Sequence, residues 1–260
     1  MKETLDLFRL GATTGSIPAQ TTGKNKILAQ MFNEMVAIDK PRAMITAKYW
    51  AEFLQLTSSR DRRVKFDSLD EYIPYRVWDV GQMWVSLVPH IYRVRLANPP
   101  RLMFGFVTFG MSLTIPESDV PVAISATSTA FGAIALTNDL FSWERERDAA
   151  KRDGMPHVVN AVWVIMGQHS VSESEAKKIC HNKIVELVEE FKATVEQFRR
   201  DDSVCEDLRT FVEVIQFNVS GNLAWSLSCS RYNPESKLNS CQEWMRQKVM
   251  QKTPQVLAGV

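Results

Sequence analysis

From Lys24 to Leu56 the apolar residues Ile27, Met31, Met35, Val36 and Ile38, then Ala43, Met44, Ala47, Trp50, Phe53 and Leu54, recur at spacings of three and four. That is the period of a helix with one buried face, whereas a half-buried strand alternates at every second residue. Alternating runs are almost absent from the chain. This property excludes a sheet-based core and predicts an all-α protein, a bundle of roughly eight to ten helices. It places two amphipathic helices in the segment above, with Pro41 in the first turn of the second, where a missing amide leaves no hydrogen bond unmade. Ser170 or Ser172 is the expected start of a helix through EAKKICHNKIVELVEEFKATVEQF, whose stripe of Ile179, Ile184, Leu187, Val188, Phe191 and Phe198 is assigned to the core. Further helices are expected from Val204 to Ser228 and from Asn239 to Gln251.

One stretch breaks the pattern. From Val85 to Met103 the run carries Pro89, Pro99 and Pro100, a local excess of arginine and no period of either kind. Prolines set so close together interrupt a helix. Helical patterning resumes at FGFVTFGMSLTIPE, read as one amphipathic helix that stops near Pro116. Deleting 85–103 would join GQMW to FGFVTFGM as one uninterrupted helix, so the run is read as an irregular insertion, a retained intron or a misdrawn gene model. Mature message that contains it would refute that reading.

Two hundred and sixty residues, 45% hydrophobic and 23% charged with 11 Gly and 11 Pro, suffice for one sizeable core and exclude collagenous and low-complexity classes. A single domain over 1–260 is expected. Thirty-one basic against thirty acidic side chains leave a formal charge of +1, so no overall field recruits nucleic acid or an anionic membrane, and any anion site must be local. No stretch approaches the roughly 18 to 20 apolar residues of a membrane span. Cys180, Cys205, Cys229 and Cys241 form no CxxC pair and have no His partner at zinc-finger spacing. They read as reduced structural thiols. The N-terminal MKETLDLFRLGATTG has acids where a signal peptide needs an apolar core, so the expected compartment is the cytoplasm.

The sharpest motif is Asn138-Asp139-Leu140-Phe141-Ser142-Trp143-Glu144-Arg145-Glu146, at the end of the small-residue helix SATSTAFGAIALT. On a helix Asn138, Ser142 and Glu146 fan over about 80° and about 12 Å of one face. A carboxamide oxygen, a hydroxyl and a carboxylate are hard donors that Mg²⁺ accepts, and a single negative charge holds the ion firmly only when a phosphate completes the octahedron. Three polar residues on one face usually mean a wet surface, but here the preceding Ala130, Ala133, Ile134 and Thr137 mark an interior face that the trio continues. The pattern suits a metal diphosphate.

With that motif the chain resembles the class I terpene cyclases, whose second metal-binding motif has the form [N/D]-D-[L/I/V]-x-[S/T]-x-x-x-E. Gly221 to Ser226 followed by Arg231-Tyr232 resembles the Arg-Tyr diphosphate-binding pair of that family. Glu71 to Gly81 resembles its diphosphate-sensing segment, which implies Arg76 as sensor, Asp79 as linker, and Val80 with Gly81 as the break in a helix facing the substrate. TGSI at Thr14, AIDKPRA at Ala37, EYIPYR, TFGMSLTIPE and NDLFSWERERDAA narrow the resemblance to the cyclase half of fungal bifunctional terpene synthases. The implied fold is the helical bundle of the class I terpenoid synthases, incomplete here at its N-terminus. The implied reaction is Mg²⁺-dependent ionisation and cyclisation of geranylgeranyl or geranylfarnesyl diphosphate. Arg76, Arg145, Arg231 and Tyr232 would bind the diphosphate, and Trp225, then Phe131, Phe109 and Trp78, would face the carbocation.

Two departures from the family bear on activity, the proline-containing run from Val85 to Met103 and a missing metal motif. The family's aspartate-rich first metal motif lies upstream of TGSI, which here begins at Thr14. The only adjacent aspartates, Asp201 and Asp202, fall in an expected solvated turn. The chain also stops soon after Arg231-Tyr232, without a prenyltransferase half. The alternative reading is therefore a non-catalytic remnant that binds metal diphosphate without ionising it. A prenyltransferase would need two aspartate-rich motifs and is disfavoured. A homo-oligomer is compatible with the family. His157 and His169 are read as surface or capping residues.

Overall fold

The computed structural model describes residues 2–19, 23–58, 65–79, 101–235 and 243–244. Among these the protein is all-α, with no strand: α1 Lys2–Thr14, α2 Gly23–Ile38, α3 Lys40–Ser58, α4 Leu69–Asp79, α5 Leu102–Gly110, α6 Val120–Ala126, α7 Ser128–Arg152, α8 Ala161–His169, α9 Glu173–Arg200 and α10 Glu206–Ser228. Pro41 sits in the first turn of α3. Ser172 caps α9, its hydroxyl accepting from the Glu175 amide at 3.3 Å. The apolar stripe of α9 is core, with Ala176, Cys180, Leu187, Phe191 and Val195 along its buried centre. Cys180, Cys205 and Cys229 are free thiols. The turn that holds Asp201 and Asp202 is solvated.

Two boundaries differ from the sequence expectation. The helix expected to run to Pro116 ends at Gly110. Ser112 turns left-handed at φ 56°, and the Leu113 amide reaches back to the Thr108 carbonyl at 2.9 Å, closing the helix end. The segment beyond is pinned from outside: Arg42 donates through Nε to the Leu113 carbonyl at 2.8 Å and through Nη2 to Thr114 Oγ1 at 2.7 Å, while Asp207 accepts from the Thr114 amide at 2.6 Å. Secondly, the irregular run is shorter at its C-terminal end than expected, because Leu102 and Met103 already form the first turn of α5. Residues 80–100, with most of that run, lie outside the described residues, as does all but 243–244 of the expected helix Asn239 to Gln251.

α7 is the axis of the described fold. It packs against α9, α10, α4 and α8, and it can do so because Ala130, Gly132, Ala133 and Ala135 let neighbouring helices approach closely. A Cβ on Gly132 would stand 3.2 Å from Leu187 Cδ1 and 3.4 Å from Ile73 Cγ2. α6 and α7 meet at a 49° bend at Thr127, whose hydroxyl donates to the Ala123 carbonyl at 2.9 Å, a known cause of helix bending. One apolar cluster joins α3, α4, α5, α6, α7, α9 and α10, a second joins α4, α7, α8 and α9, and a third lies among α1, α2 and α3. Among the described residues no single helix is long and apolar enough to cross a membrane.

Candidate metal and diphosphate site

The interior face of α7 changes character along its length. Its N-terminal half presents Phe131 and Ile134 to an open groove of about 320 Å³, lined also by Met103, Phe217 and Gly221. Ile134, Asn138, Ser142 and Glu146 follow at intervals of four, so one helix face runs from apolar wall to hard oxygen donors. Asn222 ties the groove wall to α7, donating to the Ile134 carbonyl at 3.3 Å.

Behind that face Asp139 is fully buried and joins three helices. Arg76 of α4 donates to Oδ1 through Nε at 2.8 Å, with Nη2 at 2.7 Å from the same oxygen. The Tyr72 hydroxyl donates to Oδ2, and the Ala161 amide at the start of α8 does so at 2.9 Å. Burial, reinforced by the Asp139 charge, pushes the Tyr72 phenol far above its ordinary pKa, so it remains a donor. Charge-assisted bonds of this kind are the strong ones, and a buried charge without them would be very costly.

The three expected metal donors stand around this network. Asn138 Oδ1 accepts from Arg76 Nη2 at 3.0 Å, and its amide nitrogen donates to the Tyr232 hydroxyl at 2.8 Å. Ser142 is buried, with Oγ 3.5 Å from the Asp139 carbonyl and within hydrogen-bonding reach of Glu146. Glu146 Oε2 accepts from Asn160 Nδ2 at 3.0 Å. Burial raises the Glu146 pKa, and the Asn160 hydrogen bond opposes that shift. Among the described residues Glu146 has no salt bridge, so Arg76 cancels Asp139 and one negative charge is left over. A carboxamide, a hydroxyl and a part-buried, uncancelled carboxylate fit a hard divalent cation, and nothing in the set favours a soft one.

The other expected residues are placed less uniformly. Tyr232 reaches the site through Asn138. Arg231 is exposed, its guanidinium 5.8 Å from the Tyr232 ring centre. Trp225 is 45% exposed and stands edge-on to Tyr232 at 5.5 Å. Arg145 is exposed on α7 beside Glu146. Phe109 packs with the α1–α3 cluster, away from the groove. Asp79 and Trp78 end α4, but their side chains, like Val80 and Gly81 altogether, lie outside the described residues. His169 closes α8 as an exposed residue, and His157 is half-buried.

Two residues at the site were not singled out by sequence reasoning. Tyr72 gave no signal beyond its place in EYIPYR. Asn160 did give one: an asparagine directly before the apolar run AVWVIM is a helix-start signature. That signature predicts a cap and says nothing of the carboxylate fourteen positions away that the same side chain meets.

The chain is 39% identical over 252 residues to fusicoccadiene synthase of Phomopsis amygdali, covering 94% of this chain and 32% of that protein. It is 35% identical over 233 residues to ophiobolin F synthase of Cochliobolus heterostrophus, covering 89% and 29%. It thus spans about a third of the length of these curated relatives. Aristolochene synthase from Penicillium roqueforti superposes with a TM-score of 0.67 over 87% of this chain and 70% of that one, at 18% identity, which shows a shared fold. The model of terpene synthase family 2, C-terminal metal binding, matches residues 3–190, a range that contains Arg76 and the whole Asn138–Glu146 motif. The chain therefore belongs to the terpene synthase family.

Proposed function

We propose that this chain carries out Mg²⁺-dependent ionisation of an allylic C20 or C25 isoprenoid diphosphate, geranylgeranyl or geranylfarnesyl diphosphate, and its cyclisation to a di- or sesterterpene, in the cytoplasm. The observation that carries the proposal is the single face of α7 on which the groove wall at Phe131 and Ile134 leads directly into Asn138, Ser142 and Glu146. An amphiphilic substrate with an apolar chain and a diphosphate head matches that sequence of surfaces. The names of relatives support the chain length, since they include a bifunctional type I diterpene synthase of Aspergillus flavipes and a bifunctional sesterterpene synthase of Aspergillus aculeatus.

In this reading Asn138, Ser142 and Glu146 would hold Mg²⁺, which when bound neutralises the leaving diphosphate as a Lewis acid. Arg231 and Arg145, both exposed beside the site, bind diphosphate oxygens with permanently charged, forked donors. Tyr232 accepts from Asn138 and keeps its own O–H to donate to the diphosphate. Arg76 serves the same anion from beneath, held in orientation by Asp139. Asp79 takes the linker role by resemblance. The faces of Phe131 and Trp225 stabilise positive charge by about 1 to 2 kcal/mol each once the bound substrate desolvates them.

One observation favours a second reading, a protein that binds metal diphosphate without ionising it: the only adjacent aspartates in the chain, Asp201 and Asp202, are exposed in the turn between α9 and α10. Incubation of the purified chain with each diphosphate and Mg²⁺, followed by gas chromatography and mass spectrometry of an organic extract, separates the two. A new terpene that disappears with EDTA supports cyclisation. Tight binding of Mg²⁺ and pyrophosphate without product supports the second reading.

A further inference from the structure

Asn160 has no exposed surface, and both functional groups of its side chain are engaged. Its Oδ1 accepts from the Val162 amide at 2.9 Å and caps α8. Its Nδ2 donates to the Asp139 carbonyl at 2.8 Å and to Glu146 Oε2 at 3.0 Å. The partners determine the orientation: an amide N–H can only donate, while a carbonyl and a carboxylate can only accept. Rotating the carboxamide by half a turn would set oxygen against two acceptors and nitrogen against a donor. The side chain therefore has one workable position.

Glu146 is different, a flexible side chain on the last third of α7, and Asn160 is the group that ties it to another helix. The tie is rigid because the next residue, Ala161, docks its own amide on Asp139 at 2.9 Å. It is also neutral. A lysine or arginine at this place would orient the carboxylate and cancel its charge, whereas a carboxamide orients it and leaves the charge for a cation. We propose that Asn160 is the positioning residue of the metal site: it aims the Glu146 carboxylate and thereby sets metal affinity, in addition to capping α8. The inference rests on the assignment of Asn138, Ser142 and Glu146 as metal donors.

The test separates aiming from capping. Asn160→Ser keeps a good capping oxygen but is too short to reach Glu146, and Asn160→Thr repeats the test with a second short cap. Ser172→Ala removes the cap of α9 without touching the hydrogen bond from Asn160 to Glu146, as a control for lost stability alone. Binding of Mn²⁺ in the presence of inorganic pyrophosphate is read by electron paramagnetic resonance on each purified chain, with thermal melting alongside. The expected result is an Mn²⁺ Kd raised at least about tenfold in N160S and N160T, the range seen when a group supporting a metal ligand is removed. Ser172→Ala lowers Tm by about 2 to 4 °C and leaves the Kd unchanged. The proposal is overturned if N160S and N160T bind as the parent chain does, or if S172A weakens binding as much as they do. Glu146→Gln distinguishes the two levels: loss of binding in E146Q but not in N160S refutes the positioning role alone, whereas equal binding by E146Q and the parent refutes the donor assignment and this inference with it.

Discussion

Replacing Asp139 by Asn keeps the shape of a fully buried side chain and removes its charge, which isolates the electrostatic part of the network. In the folded protein Arg76, whose side chain is 10% exposed, then loses the carboxylate that accepts from its Nε and lies 2.7 Å from its Nη2. The new carboxamide must also face the Tyr72 hydroxyl, the Ala161 amide and the guanidinium, all donors, with one oxygen in place of two. Removing one member of a buried ion pair costs about 3 to 5 kcal/mol because the other is left uncompensated. That corresponds to a fall in Tm of roughly 6 to 20 °C for a chain of this size. Urea unfolding followed by circular dichroism at 222 nm measures it directly. Arg76→Met should cost a similar amount, and the double replacement R76M/D139N, which removes both charges while the carboxamide oxygen still accepts from the Tyr72 hydroxyl or the Ala161 amide, should cost clearly less than the two single losses added. A D139N loss below about 1 kcal/mol, or a double variant as unstable as the sum of the singles, would falsify the view that these two charges stabilise the fold as a coupled pair.

Further expectations follow from single contacts. Exchanging Asn138, Ser142 or Glu146 for Ala should abolish the calorimetric signal of Mg²⁺ binding with pyrophosphate while the melting curve stays cooperative; an unchanged titration removes them as ligands. Tyr232→Phe should weaken pyrophosphate binding by about 1 to 2 kcal/mol, the worth of one hydrogen bond to a charged partner, in the same titration. Gly105→Ala gains helix propensity of about 1 kcal/mol, yet its Cβ would lie 3.1 Å from the Thr46 Cα of α3, where backbone must move, so urea unfolding should show a net loss of about 1 to 2 kcal/mol. Glu173 accepts from Lys177 at 2.9 Å and from Arg147 at 3.0 Å, and the Lys177 hydrogen bond is the largest cause holding its pKa at about 2. Its contribution is thus complete above the ordinary carboxylate value of 4.5 and disappears as pH falls toward 2. Wild type should exceed E173Q by under about 1 kcal/mol at pH 7, given solvent screening, and by less at pH 3; a gap that widens in acid contradicts the sign.

The charge pattern also bears on how a polar face can sit inside a helical bundle. Among the described residues Asp139 is paired with Arg76, whereas Glu146 has no salt bridge.

Much of this was legible before any coordinates. Spacing of three and four is a local property of the chain, so the helices, the cap at Ser172 and the buried stripe of α9 follow from sequence. The motif from Asn138 to Glu146 likewise fixes a common face, since helix geometry alone sets those angles. What local pattern cannot carry is the identity of partners separated by tens of residues. Arg76 meets Asp139 across 63 positions and Asn138 meets Tyr232 across 94, and such meetings depend on how α4, α7 and the chain after α10 pack. The same limit explains α5, whose apolar pattern continues past Gly110 although Arg42 and Asp207 hold the following segment in a turn. It explains Trp225 too, whose composition suggests a cavity wall and whose packing leaves it 45% exposed beside Tyr232. The sequence by itself determined an all-α chain with three hard oxygen donors on one helix face. Only the tertiary structure decided that Asp139 is paired with Arg76, that Glu146 has no salt bridge among the described residues, and that Asn160 hydrogen-bonds it, because burial and hydrogen-bond partners are properties of the packed chain.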